Sequence, residues 1–218
     1  MNITDYILKD FKPLTLKCKI GKAQKLCENL PITHIPVVEN GKLLGCFSQS
    51  DIRTIEDIEQ NVENFTDLFY QYHSDTKSST LELLSIFADN DANIIPVISE
   101  NNYIGYIELA DILDNFSSTP FLANDGFTLI VQKNNIEYSM SEISQIVESN
   151  SGVLLGAYQS EMTTDVVTMT LKIASQEINE IIQTFRRYNY VIITEHKDDF
   201  YLEDLKNRSD YLQKFLNT

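Results

Sequence analysis

Hydrophobic and polar positions in the first half of the chain form one pattern written twice. His34–Asp51, HIPVVENGKLLGCFSQSD, has an apolar run, a polar turn at Glu39-Asn40-Gly41, a second apolar run and a polar end. Ile94–Asp111, IIPVISENNYIGYIELAD, repeats it sixty residues on. In register, Ile35-Pro36-Val37-Val38 lies over Ile95-Pro96-Val97-Ile98, Gly45 over Gly105 and Asp51-Ile52 over Asp111-Ile112, with no gap. Each copy predicts two short strands and then a helix beginning near Ser48 or Glu108. Ahead of the strands, Ala23, Leu26, Cys27 and Leu30 predict a helix over 22–30. Leu83, Leu84, Ile86 and Phe87 predict its counterpart over 78–90, with Ser79 and Thr80 as candidate N-caps. The repeated unit is therefore α-β-β-α. One unit alone would expose an apolar sheet face, whereas two can bury those faces together.

Flanking segments carry weaker patterns. Ile3, Tyr6, Ile7 and Phe11 predict a helix over 2–11 that Pro13 ends, and Leu14-Thr15-Leu16 reads as a short extended piece. Ile55, Ile58, Val62 and Phe65 keep helical spacing and predict two helical pieces between Ile52 and Tyr72. Phe65, Leu68, Phe69, Tyr70 and Tyr72 form a dense aromatic cluster, readable as core or as a dimer face.

The Phe116-Ser-Ser-Thr-Pro120 break sets a boundary between residues 1–121 (repeat one about 1–60, repeat two about 61–121) and 122–218. Past it, strand Phe127–Gln132, helix Met140–Ser149, strands Val153–Gln159 and Val166–Ile173, helix Gln176–Tyr188 and strand Tyr190–Glu195 give β-α-β-β-α-β. Gly152 is expected in the left-handed position after the first helix, and Ser175 as the cap of the second. This is the ferredoxin-like order, a fold with many uses. A last helix is expected over Phe200–Phe215. The predicted fold class is α+β.

The doubled pattern h-P-h-h, polar turn, G-h-h-[Ser/Thr]-x-x-Asp resembles the CBS domain, which occurs in tandem pairs. The ferredoxin-like half looks like an ACT-type domain, and the combination resembles CBS-ACT proteins of the acetoin-utilisation type. The resemblance implies a regulatory module that binds an adenine nucleotide or S-adenosylmethionine in clefts between the repeats and forms a homodimer. In the ACT-like half the turn Gln132–Tyr138 has no Gly, unlike family members that bind amino acids.

Composition narrows the function. Net charge is −15, split as 18 acids against 9 bases in residues 1–121 and 14 against 8 in 122–218. Neither half shows a Lys/Arg run or an aromatic-basic stripe, which argues against nucleic acid as a partner. No apolar run approaches membrane-spanning length and MNITDYILKDF carries two acids, so a cytoplasmic protein is expected. Cys18, Cys27 and Cys46 lack metal or redox spacing and read as reduced core thiols. His34, His73 and His196 are scattered, and no catalytic motif is present, so no enzyme, cofactor or metal is expected.

Candidate ligand residues cluster in repeat one. Ser48 can anchor a phosphate at the helix start or simply cap it. Asp51 matches the family's ribose acceptor, or is a first-turn acid favoured by the helix dipole. Arg53 offers a phosphate contact or is an ordinary surface residue. Ile35 and Pro36 would flank the base as the resemblance implies, and His34 reads as a strand-edge residue. In repeat two Asp111 remains, but Glu108 replaces Ser or Thr and puts negative charge where a phosphate would sit. At most one good nucleotide site per chain is expected. The alternative is a homo-oligomeric scaffold with vestigial clefts and an unknown protein partner.

Overall fold

The structure, a computed structural model, describes residues 3–194. It divides into two compact units between Ser117 and Ser118, inside the polar break. In the first unit, helix α1 (Ile20–Asn29) precedes the hairpin β1 (His34–Glu39) and β2 (Lys42–Ser48), and helix α2 (Gln49–Thr54) follows it. The second copy adds a short strand β3 (Ser74–Asp75), helix α3 (Thr80–Asp89), hairpin β4 (Ile94–Ser99) and β5 (Asn102–Glu108), and helix α4 (Leu109–Ser117). Both hairpins are antiparallel and shift register at the same place, Val37/Val38 and Val97/Ile98. Leu14 pairs in parallel with Val37 as Ser74 does with Val97, so the sixty-residue register extends to the tertiary pairing. Ser79 and Glu82 close a reciprocal capping box on α3.

The paired glycines have a steric reason. Gly45 has φ +143°, and a Cβ there would lie 2.9 Å from the Tyr70 carbonyl oxygen; Gly105 has φ +147°, with the Leu8 carbonyl 2.5 Å away. Each bare Cα lets a connecting segment bridge the hairpin edge, Tyr70 to Cys46 and Leu8 to Tyr106. That pairing corrects the expected helix over 2–11. Only one 3₁₀ turn forms, Ile3–Tyr6, because Leu8 exchanges backbone hydrogen bonds of 2.8 and 3.1 Å with Tyr106. Of the two helical pieces expected between Ile52 and Tyr72, the first is the end of α2, which stops at Thr54. Ile58 and Gln60 carbonyls accept from the Gly21 and Ile20 amides at 2.9 Å, and only a 3₁₀ stretch, Val62–Leu68, follows. Of the aromatic cluster, Phe69 and Tyr72 are buried while Leu68 and Tyr70 are exposed, so it divides between core and surface.

The second unit begins with a short helix α5 (Pro120–Ala123), whose Phe121 packs on Gly156. Strand β6 (Phe127–Asn134), helix α6 (Met140–Ser149), strands β7 (Val153–Met162) and β8 (Val166–Ala174), helix α7 (Ile178–Arg187) and strand β9 (Val191–Ile192) follow. The antiparallel sheet has the order β7-β8-β6-β9, which is the ferredoxin-like arrangement. Leu129, Val131, Leu171 and Ile173 of the sheet pack with Ile143, Val147, Ile181 and Phe185 of the helices. Ser151, not Gly152, takes the left-handed conformation after α6, at φ 59°. Gly152 answers to space instead, since a Cβ would sit 2.7 Å from Ile181 Cδ1. Ser175 does not cap α7: its hydroxyl accepts from the Glu177 amide, and Glu177 holds the N-cap position without a side-chain bond. The expected helix over Phe200–Phe215 lies outside the described residues.

Candidate functional site: the cleft of repeat one

The two copies meet at equivalent residues, Thr33 and Asn93. The Thr33 amide and hydroxyl donate to Asn93 Oδ1 at 2.8 and 3.0 Å, and the Asn93 amide donates back to Thr33 Oγ1 at 3.0 Å. With the Thr33 proton so committed, the 3.0 Å contact from His34 Nδ1 to Thr33 Oγ1 makes Nδ1 the donor. Nε2 of the neutral ring is then an acceptor. His34 is buried, with Tyr70 and Tyr72 edge-on at 5.0 and 5.7 Å. Burial holds its pKa below the ordinary imidazole value, against the opposing pull of Asp51 and Asp91, so the ring is neutral at pH 7.

A cleft of about 460 Å³ opens beside this junction, lined by Thr33, His34, Ser48, Gln49, Ser50, Tyr70 and the Asp89-Asn90-Asp91 end of α3. Both repeats contribute to it. Tyr70 is 42% exposed and pinned by two 2.8 Å backbone bonds to Cys46, which leaves a fixed aromatic surface at the mouth. Ser48 is the N-cap of α2: its Oγ accepts from the Asp51 amide at 3.0 Å and donates to Asp51 Oδ2 at 2.6 Å. The Gln49 amide is also taken, by the Thr33 carbonyl at 2.7 Å. Two amides at the start of this six-residue helix are thus spent inside the protein, which leaves little of the free N–H array that a phosphate needs.

The expected residues do not all converge. Ser48 lines the cleft, and Asp51 adjoins it through Ser48 and through its charge on His34. Ile35 and Pro36 are buried and are not among the lining residues. Arg53 is exposed in the last turn of α2, also outside the lining set; its charge is felt at Cys27, whose thiol burial raises and Arg53 lowers. None of the described lining residues is Lys or Arg, while two are Asp. In repeat two, Asp111 is half-buried, and burial followed by the charges of Asp111 and Asp10 holds Glu108 above the usual carboxylate range. Sequence reasoning missed Tyr70 and the Asp89–Asp91 end, because each reaches the cleft from another part of the fold, and it passed over Gln49, the neighbour of Ser48 at the start of α2.

Cys27 and Cys46 are buried, the latter thiol pushed up to about 12 by burial, whereas Cys18 is only half-buried. Among the described residues no group of three or more His, Cys, Asp or Glu side chains could hold a metal, and no helix is long and apolar enough to cross a membrane.

Residues 3–56 match the family model of the CBS domain. Because the same build recurs sixty residues on, the first unit is a pair of CBS-type repeats. Similar solved structures include a CBS domain pair/ACT domain protein from Thermotoga maritima, 16% identical over 53% of this chain and 96% of that one, with a TM-score of 0.48. A CBS-domain containing protein from Agrobacterium tumefaciens is 18% identical over 53% of this chain and 99% of its own (TM-score 0.45). The cytosolic domain of a Mg²⁺ channel in complex with ATP is 19% identical over 52% and 48% (TM-score 0.45). Among curated protein sequences there is no match.

Proposed function

We propose that the protein is a non-catalytic regulatory module whose repeat-one cleft senses an adenosine-containing ligand, and that it takes a neutral or cationic adenosyl group, as in S-adenosylmethionine, in preference to AMP or ATP. The observation that carries this reading is the charge of the cleft: Asp89 and Asp91 in its wall, Asp51 behind Ser48, and no Lys or Arg among the described lining residues. The exposed Tyr70 ring supports base stacking. The acceptors Asp51 and His34 Nε2 suit ribose hydroxyls and amino groups. The ferredoxin-like unit reads as the ACT-type half that transmits or assembles, with no amino-acid ligand assigned.

Thermal shift across S-adenosylmethionine, adenosine, AMP and ATP tests the proposal. A ligand at a hundred times its dissociation constant adds about 2.7 kcal/mol, several degrees of melting temperature. S-adenosylmethionine or adenosine should raise the midpoint most and ATP least; an ATP shift above both would reverse the charge argument. The exposed Leu81 on α3 and Leu113 on the adjoining α4 support a homodimer, which light scattering giving the mass of one 25.0 kDa chain would exclude.

A further inference from the structure

Away from the cleft, the segment before α1 and one face of α1 enclose a groove of about 750 Å³ lined by Lys12, Lys17, Lys19, Lys22 and Lys25. These are five of the 17 basic residues in a chain of net charge −15. Lys22, Lys25, Leu26 and Asn29 fall at i, i+3, i+4 and i+7, one stripe of the helix. The opposite wall is held by backbone: the Leu14 amide donates to Pro36 O at 2.9 Å, the Val62 amide to Cys18 O at 2.9 Å and the Glu63 amide to Leu16 O at 3.0 Å. Lys19 has a partner, its ammonium donating to the Glu59 carbonyl near that residue's carboxylate. Among the described residues Lys12, Lys17, Lys22 and Lys25 make no ion pair.

Nothing in the repeat scaffold requires these cations. Sixty residues on from Lys12, Lys19, Lys22 and Lys25 stand Tyr72, Ser79, Glu82 and Ser85, and only Lys17 meets another lysine, Lys77. Unpartnered ammonium groups gathered in a concavity repel one another, and a multiply charged anion relieves that repulsion. Lysine acts as a point charge suited to phosphate rather than as a planar fork for carboxylates. No aromatic side chain lines the groove, so it offers no platform for a base, and its volume is that of a small-molecule site. The acidic remainder of the chain opposes the long-range approach of nucleic acid or an anionic membrane.

We infer that the groove between residues 12–19 and α1 binds a polyphosphate chain without a nucleobase, at a site separate from the repeat-one cleft. Calorimetry with inorganic tripolyphosphate on the full chain tests it. One molecule should bind per chain, and the affinity should fall when salt is raised to roughly 0.5 M. Lys12→Gln/Lys17→Gln/Lys22→Gln/Lys25→Gln together should weaken binding at least about tenfold. All four side chains are exposed, so the variant should melt with the parent. If it does not, the Lys12→Gln/Lys17→Gln and Lys22→Gln/Lys25→Gln pairs read the two walls separately, and each should weaken binding. Asp51→Ala should leave tripolyphosphate affinity unchanged. No binding by the parent at millimolar ligand, equal binding by the lysine variants, or tighter binding of anionic vesicles, DNA or an acidic peptide would each overturn the assignment.

Discussion

Asp51→Ala separates a ligand contact from a helix cap. In the parent, Asp51 serves α2 through its amide, which Ser48 Oγ caps at 3.0 Å, while its carboxylate accepts from the Ser48 hydroxyl at 2.6 Å. Alanine keeps the amide and therefore the cap. The Ser48 hydroxyl loses one acceptor but still lies 2.9 Å from Ser50 Oγ, so the ligand-free protein should lose no more than about 1 kcal/mol, the scale of one ordinary hydrogen bond. A ribose hydroxyl donating to the ionised carboxylate is a stronger bond, about 1.5–3 kcal/mol, so ligand affinity should fall roughly ten- to a hundredfold. Removing one negative charge should also narrow the gap between adenosine and AMP. Calorimetry with S-adenosylmethionine, adenosine and AMP on the parent, Asp51→Ala and Asp111→Ala reads all three effects. Asp111→Ala should leave affinity nearly unchanged, because Asp111 lies beside Glu108 in repeat two and is not among the residues that line the repeat-one cleft. Equal losses in the two variants would refute the asymmetry between repeats.

Three further outcomes follow from the same contacts. His34 is buried and its pKa lowered, so folding opposes its protonation; stability should decline as pH falls below about 6.5, where the unfolded chain binds the proton first, and His34→Gln should flatten that slope in pH-dependent melting. Glu142→Gln should cost about 3 kcal/mol in the second unit, on the order of 10 °C or more, because it strands Lys133, which is buried, ion-paired to Glu142 and 4.4 Å from the centre of the Tyr190 ring; an unchanged midpoint in differential scanning would contradict this. Gly45→Ala should destabilise by about 1–3 kcal/mol, the range for a strained backbone site, and reduce ligand binding through Tyr70, whereas Gly41→Ala, which also meets a positive φ (+79°) but whose Cβ would meet nothing nearer than 3.6 Å, should bear the backbone strain without the clash and do less in denaturant titration.

The repeat was legible because it is written in apolar runs, glycines and cap residues, each acting within a few positions of itself. Helix α6 falls over Met140–Ser149, where its periodicity places it, and Ser79 caps α3 as its own chemistry dictates. The failures share one cause. At Leu8, Ile58 and Gln60 the deciding partner is a backbone group elsewhere in the fold, and apolar spacing carries no record of it. Tyr70 belongs to the cleft for the same reason, held there by Cys46. Gly152 looked like a turn glycine, yet the turn is made by Ser151 and the glycine by the bulk of Ile181. The lysine groove escaped a search for charge runs because its members are spaced two to five residues apart. A window count finds it, with six lysines and one acid between residues 9 and 25.

Helix α1 ties the groove to the cleft. One face carries Lys22 and Lys25, while Gln24 donates from the same helix to the Ile52 and Ile55 carbonyls at 3.1 and 2.9 Å. From the other side Gln49, a cleft residue, donates to the Cys27 carbonyl at 2.6 Å. Both amides bond α1 to the α2 region, where Ser48 and Asp51 sit, so a shift of α1 toward an anion must either carry α2 with it or break these bonds. The two sites favour ligands of opposite charge and share one pair of helices. If polyphosphate in the groove changes the affinity of the cleft, the cleft ligand must change polyphosphate affinity by the same factor, since the coupling is a property of the doubly occupied protein and not of the order of binding.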